Sequence, residues 1–364
     1  MNTEQNPNNQ SPTFINKDTP VLVTGATGYV AGQLIKLLLE QGTQVHAAVR
    51  DPSKVSKLKF LNQLADTLPG SITYFKADLL DSGSYLEAMQ GCELVYHTAS
   101  PFSLDIQDPQ RDLIDPALKG TQNVLQSANQ CASVKRVVLT SSVAAVMADN
   151  TDIADAKGDH FTEADWNERS SLEHGPYLYS KTLAEREAWK IAGSQTQWDL
   201  VVINPSLVIG PGINPHATSE SFKLIKQMGD GTMRMGAPRY AMGMVDVREV
   251  ATAHLKAGFN QSASGRHILS AQNTDLFEAA SLLKDKYPNY PLPPMPAPKC
   301  LIMIVGPWVD KTMTREMIKR NVDIPIKLDN SKSINQLGIN YRPLKTSLED
   351  MFAQLIESGQ IKKR

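Results

Sequence analysis

Tyr177 and Lys181 stand four residues apart in YLYSKTLAEREAW, so on a helix their side chains share one face. With a serine hydroxyl alongside, a phenol and an ammonium suffice to reduce a carbonyl. Hydride reaches the carbon from a nicotinamide, negative charge grows on the oxygen, and a proton must arrive there. A phenol with a reference pKa of about 10 relays protons poorly at neutral pH, and a neighbouring ammonium favours its phenolate. The hydroxyl comes from KRVVLTSS, as Ser141 or Ser142. Strand alternation sends these two to opposite faces, and spacing alone does not choose between them. Tyr179 lies only two residues from Lys181 and faces elsewhere. Tyr-x-x-x-Lys spacing is common by chance, so its weight depends on what surrounds it.

Upstream, PVLVTG runs into Thr24-Gly25-Ala26-Thr27-Gly28-Tyr29-Val30-Ala31-Gly32. Glycines at 25 and 28 permit a tight turn and a close approach of backbone to phosphate. The helix that follows aims free N–H groups and a positive dipole end at a pyrophosphate. The strand before and the helix after make this a dinucleotide signature rather than a bare glycine turn. The second strand ends at Val49-Arg50-Asp51. NAD sites place an acid there for the ribose 2′-hydroxyl, whereas an arginine suits a 2′-phosphate, so Arg50 points to NADP(H). Lys57 offers a second cation, or is one of several solvated lysines. Asp78 and Leu79 end the third strand, where they flank the adenine or Asp78 serves as a helix cap.

These groups need a scaffold. QVHAAVR, ITYFKAD, ELVYHTAS, KRVVLTSS and DLVVINPS read as further strands. Amphipathic segments separate them, notably Pro109–Cys131 and Tyr177–Ala192. Strand–helix alternation implies a parallel sheet covered on both faces, with ligands at its carboxyl edge. After Pro205 the pattern turns to short helices and loops, and YPNYPLPPMPAPK is too proline-rich for helix or central strand. The reading is an arm over residues 1–18, disordered. A nucleotide-binding domain follows over 19–205, with a return segment at about 245–271. A smaller lobe takes 206–244 and 272–364.

Composition excludes other classes. The 364 residues carry 37 Lys plus Arg against 38 Asp plus Glu, a charge of −1, so no nucleic-acid partner is expected. Three scattered cysteines, Cys92, Cys131 and Cys300, build neither a disulfide framework nor a metal cage, which fits a reducing cytoplasm with no metal. No apolar run nears the roughly 20 residues of a membrane span. The polar N-terminal stretch does not read as a secretory signal.

Together these segments resemble the extended short-chain dehydrogenase/reductases, and within them the dihydroflavonol-reductase-like and methylglyoxal (ketone) reductase-like branch. The matching stretches are VTGATGYVAG, AAVRDP, YHTASPF, DPALKGTQNVL, VVLTSSVAAV, YLYSKTLAEREAW, VINPSLVIGPG and MVDVREVATAHLKA. The resemblance implies an α/β fold, a Rossmann-type doubly wound parallel sheet with a smaller C-terminal α/β substrate lobe. It implies Ser142, Tyr177 and Lys181 as the catalytic set. It also implies NADP(H) lined by Gly25, Thr27, Gly28, Tyr29, Arg50, Lys57, Asp78, Leu79, Thr98, Ala99, Ser100, Tyr177, Lys181, Pro205 and Val208, with Ser206 or Ser221 as further contacts. Asn123 takes a helix-packing role. Where plant cinnamoyl-CoA reductases carry Asn-Trp-Tyr-Cys-Tyr, this chain reads His174-Gly175-Pro176-Tyr177-Leu178-Tyr179, which argues against coenzyme-A esters.

Candidate substrate contacts are Phe102, Leu104 and Ile106, Phe222, and Tyr240 to Met244, together with Ser142 and Tyr177. A mostly apolar pocket suits a medium-sized aldehyde or ketone. The expected activity is NADPH-dependent carbonyl reduction by a monomer or homodimer with no membrane partner. The alternatives are a nucleotide-sugar epimerase or dehydratase on the same scaffold, and a non-catalytic NADP-sensing regulator.

Overall fold

The computed structural model describes residues 13–100, 106–156, 158–216, 219–309 and 313–364. Its strands are β1 (Val21–Thr24), β2 (Gln44–Val49), β3 (Ser71–Lys76), β4 (Leu94–His97), β5 (Arg136–Thr140), β6 (Asp199–Pro205), β7 (Leu207–Ile209), β8 (Ala241–Asp246), β9 (Gly265–Leu269) and β10 (Gln272–Asp275). The helices of the first half are α1 (Tyr29–Glu40), α2 (Val55–Thr67), α3 (Leu86–Met89), α4 (Asp115–Gln130) and α5 (Pro176–Gly193). Beyond them lie α6 (Glu220–Gly229), α7 (Val247–Phe259), α8 (Leu276–Ser281), α9 (Lys299–Val309), α10 (Arg315–Asn321), α11 (Ser331–Leu337) and α12 (Leu344–Glu357).

Seven strands form one parallel sheet in the order β3-β2-β1-β4-β5-β6-β9. β1 and β4 are buried at every position, as central parallel strands with both faces covered must be. β3 lies at the edge, with no residue buried. Leu34, Leu38 and Leu58 pack one face of the sheet from α1 and α2, with Val250 from α7. Met89, Val124 and Ala188 pack the other from α3, α4 and α5. A Cβ on Gly258 would lie 2.2 Å from the Tyr96 hydroxyl, so glycine lets α7 approach β4 closely. Strand order reverses between β1 and β4, and the crevice for a ligand opens above their carboxyl ends.

The second sheet, β10-β8-β7, belongs to the lobe. Ile225, Met228, Leu348, Met351 and Phe352 pack from α6 and α12 around it. α7 and β9 return to the large sheet from within the C-terminal half. Among the described residues no helix is long and apolar enough to cross a membrane.

The arm departs from expectation at its end. Residues 13–18 are not disordered: Ile15 is 4% exposed in the core under α1 and α2. The Thr13 hydroxyl donates to Asp199 at 2.6 Å, and the Asn16 amide donates to Glu93 at 2.8 Å. Asp199 opens β6 and Glu93 precedes β4, so this segment seals the amino edge of the sheet, opposite the ligand edge. One isoleucine in an Asn-rich stretch has no periodicity by which to announce burial. Replacing Ile15 by Ala should lower unfolding stability by about 2 kcal/mol, the low end for a buried aliphatic truncation, as read from urea midpoints.

Candidate active site

β1 ends at Thr24, and Gly25 turns the chain at φ +63. A Cβ at Gly25 would stand 2.9 Å from the Ala99 Cα, so the turn is both left-handed and pressed against the end of β4. Thr24 clamps that contact. Its hydroxyl accepts the Ala99 amide at 3.0 Å, and its carbonyl accepts the Thr98 hydroxyl at 2.6 Å. His97 Nδ1 lies 2.9 Å from the same Thr24 hydroxyl. Burial, reinforced by the Lys181 charge, pushes the His97 imidazole down to about 3, so it is neutral here. α1 then begins at Gly28 with no side-chain cap and no acid in its first turn. Its leading N–H groups are therefore left to a ligand.

Beside this turn lies a cleft of about 210 Å³ lined by Thr27, Arg50, Asp51, Lys54, Lys57 and Leu58. The Asp51 carboxylate faces its own turn. It accepts the Ser53 hydroxyl at 2.6 Å and the Ser53 amide at 3.0 Å. These bonds, the hydroxyl foremost, hold its carboxyl below the usual range. Arg50 makes no ion pair among the described residues, so the cleft presents cations. A phosphate fits this donor set, and the glycine cradle fits a pyrophosphate. The residues therefore suit an NADP-type dinucleotide.

Asp78 accepts the Leu80 amide at 2.9 Å and caps its own turn. Asn123 on α4 gathers that loop, its amide donating to the carbonyls of Asp78, Leu79 and Asp81 at 3.2, 3.1 and 2.7 Å. Tyr29 turns from the glycine loop to the lobe. Its hydroxyl donates to the Gly210 carbonyl at 2.5 Å, and its ring meets Phe222 edge-on at 5.3 Å. Pro205 is buried at the end of β6, Val208 is half-buried in β7, and Ser221 is buried in the first turn of α6.

α5 starts after Gly175, at φ +67, with Pro176 pre-set in its first turn. Tyr177 follows, 42% exposed as a whole but with its hydroxyl end buried, and the Lys181 ammonium lies 5.8 Å from its ring centroid. That ammonium donates to the Ser100 hydroxyl at 2.7 Å. Burial pushes Lys181 down to about 8 and raises the Tyr177 phenol. This differs from the expected acidified phenol. The surrounding protein disfavours both charged forms, and the ammonium bonds Ser100. Burial thus favours the protonated phenol.

The two serines separate. Ser141 is buried and donates to Glu185 at 2.5 Å. Ser142 stands half-buried and caps a 3₁₀ turn over Val143–Ala145, accepting the Ala144 amide at 3.1 Å. Glu185 lies four residues beyond Lys181 on α5 and also accepts Arg266 Nε at 2.6 Å and Asn204 Nδ2 at 2.7 Å. Asn204 donates as well to the Ser142 carbonyl at 3.1 Å. Arg266 stacks 4.0 Å from the Trp166 ring and donates to the Ala145 carbonyl at 3.1 Å. Sequence reading missed this hub. Its signals were a carboxylate on the inner face of α5 and an arginine inside the apolar strand RHILSA.

The expected substrate contacts need correction. Phe222 and Met244 are core residues of the lobe, 2% and 0% exposed. Met244 sits in the central strand between Leu207 and Gln272. An apolar residue reads the same in sequence whether it fills a core or walls a cleft. Tyr240 is half-buried against Ile318 and Val322, its phenol pushed up to about 12 by burial and then by the Asp149 charge. Phe102 and Leu104 lie outside the described residues. Ile106 is exposed. No group of three His, Cys, Asp or Glu among the described residues could hold a metal ion.

Comparison with known proteins gives the family and the fold's relatives. The NAD dependent epimerase/dehydratase family matches residues 21–269, and the chain belongs to it. The chain is 40% identical over 340 residues to cinnamoyl-CoA reductase CAD2 of Medicago truncatula, covering 93% of this chain and 95% of that one. It is 35% identical over 281 residues to an anthocyanidin reductase of Vitis vinifera, covering 74% and 82%. Yeast methylglyoxal/isovaleraldehyde reductase Gre2, solved with NADPH, superposes with a TM-score of 0.73 at 27% identity over 94% of this chain and 99% of that one.

Glu185→Ala strands the buried Arg266 charge and should cost about 3–5 kcal/mol, whereas Glu185→Gln, which keeps one acceptor oxygen for these donors, should cost less. Urea unfolding of the two variants checks the order.

Proposed function

We propose that this chain reduces an aldehyde or ketone to the alcohol with NADPH, Tyr177 acting as the general acid. One observation carries the reading: α5 sets Tyr177 and Lys181 on one face at the sheet edge, where the glycine turn and the Ser142 segment also end. The chain is an NADP-dependent oxidoreductase in this reading: its relatives are reductases by name, and Gre2 is solved with NADPH. Gly25, Thr27 and Gly28 with the first amides of α1 take the pyrophosphate. Arg50 and Lys57 take the 2′-phosphate. Asp78, Leu79, Thr98, Ala99 and Ser100 flank the adenosine and ribose side, and Pro205 and Val208 the nicotinamide side. When bound, the nicotinamide supplies the hydride.

The protein does the rest. The Ser142 hydroxyl donates to the carbonyl oxygen and holds it for attack. Tyr177 passes its phenolic proton to that oxygen as negative charge builds there. The Lys181 ammonium steadies the phenolate that remains and bonds the nicotinamide ribose. The lack of the Asn-Trp-Tyr-Cys-Tyr stretch at Tyr177 favours a free carbonyl, and the 40% identity to a cinnamoyl-CoA reductase makes the thioester the comparison substrate. An epimerase or dehydratase on this scaffold returns its dinucleotide unchanged, so stoichiometric loss of NADPH separates the two readings.

The test is NADPH oxidation against aldehydes, α-diketones, β-keto esters, dihydroflavonols and a cinnamoyl thioester, with NADH as control. Turnover of a free carbonyl is expected, and no NADPH loss with any of them would overturn the reading. Tyr177→Phe should bind NADPH normally and lose at least about a hundredfold in kcat. Arg50→Ala should raise the KM for NADPH far more than that for NADH; equal effects would remove the 2′-phosphate role.

The pH profile has a definite sign. Lys181 works as the ammonium, and burial brings its pKa down to about 8 in the ligand-free protein. The kcat/KM for reduction should therefore fall as pH rises through that value.

A further inference from the structure

Apart from the Glu185 hub, a second polar knot near the reacting groups is built on Asp149. This carboxylate follows Ser142 by one loop, and its side chain is 4% exposed. His174 Nε2 lies 2.6 Å from Oδ2. Asn321 Nδ2 donates to Oδ1 at 2.7 Å. Arg320 Nη1 stands 3.6 Å from Oδ2. Asn150, the next residue, repeats the link: its amide N–H donates to Asn321 Oδ1 at 2.9 Å, and its side chain donates to the Asn321 and Ile324 carbonyls at 3.1 Å each.

Three parts of the enzyme meet at this point. Asp149 and Asn150 belong to the segment leaving the serine, His174 to the approach to Tyr177, and Arg320 and Asn321 to α10 of the lobe. The approach is short and stiff. The Ser171 amide donates to the His174 carbonyl at 2.8 Å, and the His174 amide to the Ser171 hydroxyl at 3.1 Å. Gly175 at φ +67 and Pro176 follow, and Tyr177 is next. A displacement of His174 therefore passes to the phenol through two residues of restricted backbone.

Burying a carboxylate costs several kcal/mol unless partners compensate it, and anchoring alone needs no charge there. We propose that Asp149 is a positioning residue: through His174 it fixes Tyr177 against the Ser142 segment, and through Asn321 it seats the lobe on the same support. The proposal rests on the reading of Tyr177 as proton donor. It adds that the distance between serine and tyrosine is set from outside α5.

The experiment compares Asp149→Asn, His174→Ala, His174→Gln and the double variant Asp149→Asn/His174→Ala in the full chain. Readouts are kcat, KM for NADPH and for the carbonyl, melting temperature, and amide hydrogen exchange over Gly175–Ser180. Misplacing a reacting group by about 1 Å can cost about a hundredfold. His174→Ala should accordingly lose on the order of ten- to a hundredfold in kcat, keep its KM for NADPH, and exchange the Gly175–Ser180 amides faster. His174→Gln, which retains an N–H donor, should recover most of the rate, and the double variant should lose no more than the worse single one.

Wild-type kcat in His174→Ala would overturn the proposal. So would a fall in kcat matched by weakened NADPH binding and melting, or additive losses in the double variant. Exchange at Gly175–Ser180 tests the tie separately from turnover, and unchanged exchange in His174→Ala would also overturn it. His174 is partly exposed, so its variants keep the question open to disproof even if Asp149→Asn fails to fold. Failure here with an active wild type leaves the reductase reading standing. A wild type that consumes no NADPH removes that reading instead.

Discussion

A carboxylate buried among apolar side chains must be paired, and the pairing of Glu185 organises the active edge of this protein. Its partners come from three strands: Ser141 after β5, Asn204 in β6 and Arg266 in β9. Through Asn204 and Arg266 the same charge reaches the backbone of Ser142 and Ala145. The helix that carries the phenol and ammonium is thus bolted to the strand ends that carry the serine, with its apolar face free to pack on Val124 and its neighbours. The cost of burying the charge is offset by the hydrogen bonds from Ser141, Asn204 and Arg266, and the Arg266 guanidinium is in turn stacked on Trp166.

Electrostatics at this edge favour neutral groups. His97 and His254 are both pushed down by burial, to about 3 and about 4, and the Thr140 hydroxyl lies 2.6 Å from His254. Lys181 is lowered and Tyr177 raised for the same reason.

What the sequence disclosed follows the reach of local rules. Gly25 and Gly28 between a buried strand and a helix, Arg50 at the end of the second strand, and the four-residue step from Tyr177 to Lys181 are contacts of a chain with its own near neighbours. Backbone geometry dictates these almost alone, and the parallel sheet follows from the alternation that surrounds them. The unread parts are meetings of distant segments. Asp149, His174 and Asn321 are polar residues in loops or on short helices, with no period to betray them. Phe222 and Met244 were assigned to a pocket because an apolar side chain carries no mark of which cavity it fills. Ser142 was chosen over Ser141 by likeness to a family; in the structure the Ser141 hydroxyl donates to Glu185, whereas the Ser142 hydroxyl accepts the Ala144 amide.

The order in which strands enter the large sheet has a consequence for how the molecule assembles. β6 pairs with β9, and the chain between them, residues 206–264, includes β7, α6 and β8 of the lobe as well as α7. Closing that last pairing requires a long excursion to be completed first, which makes it a late and entropically expensive event. Until then β6 is a bare edge of buried, β-branched residues, open to pairing with other chains. The lobe is therefore more than a lid over a finished nucleotide-binding unit: its synthesis and collapse shield the sheet from aggregation.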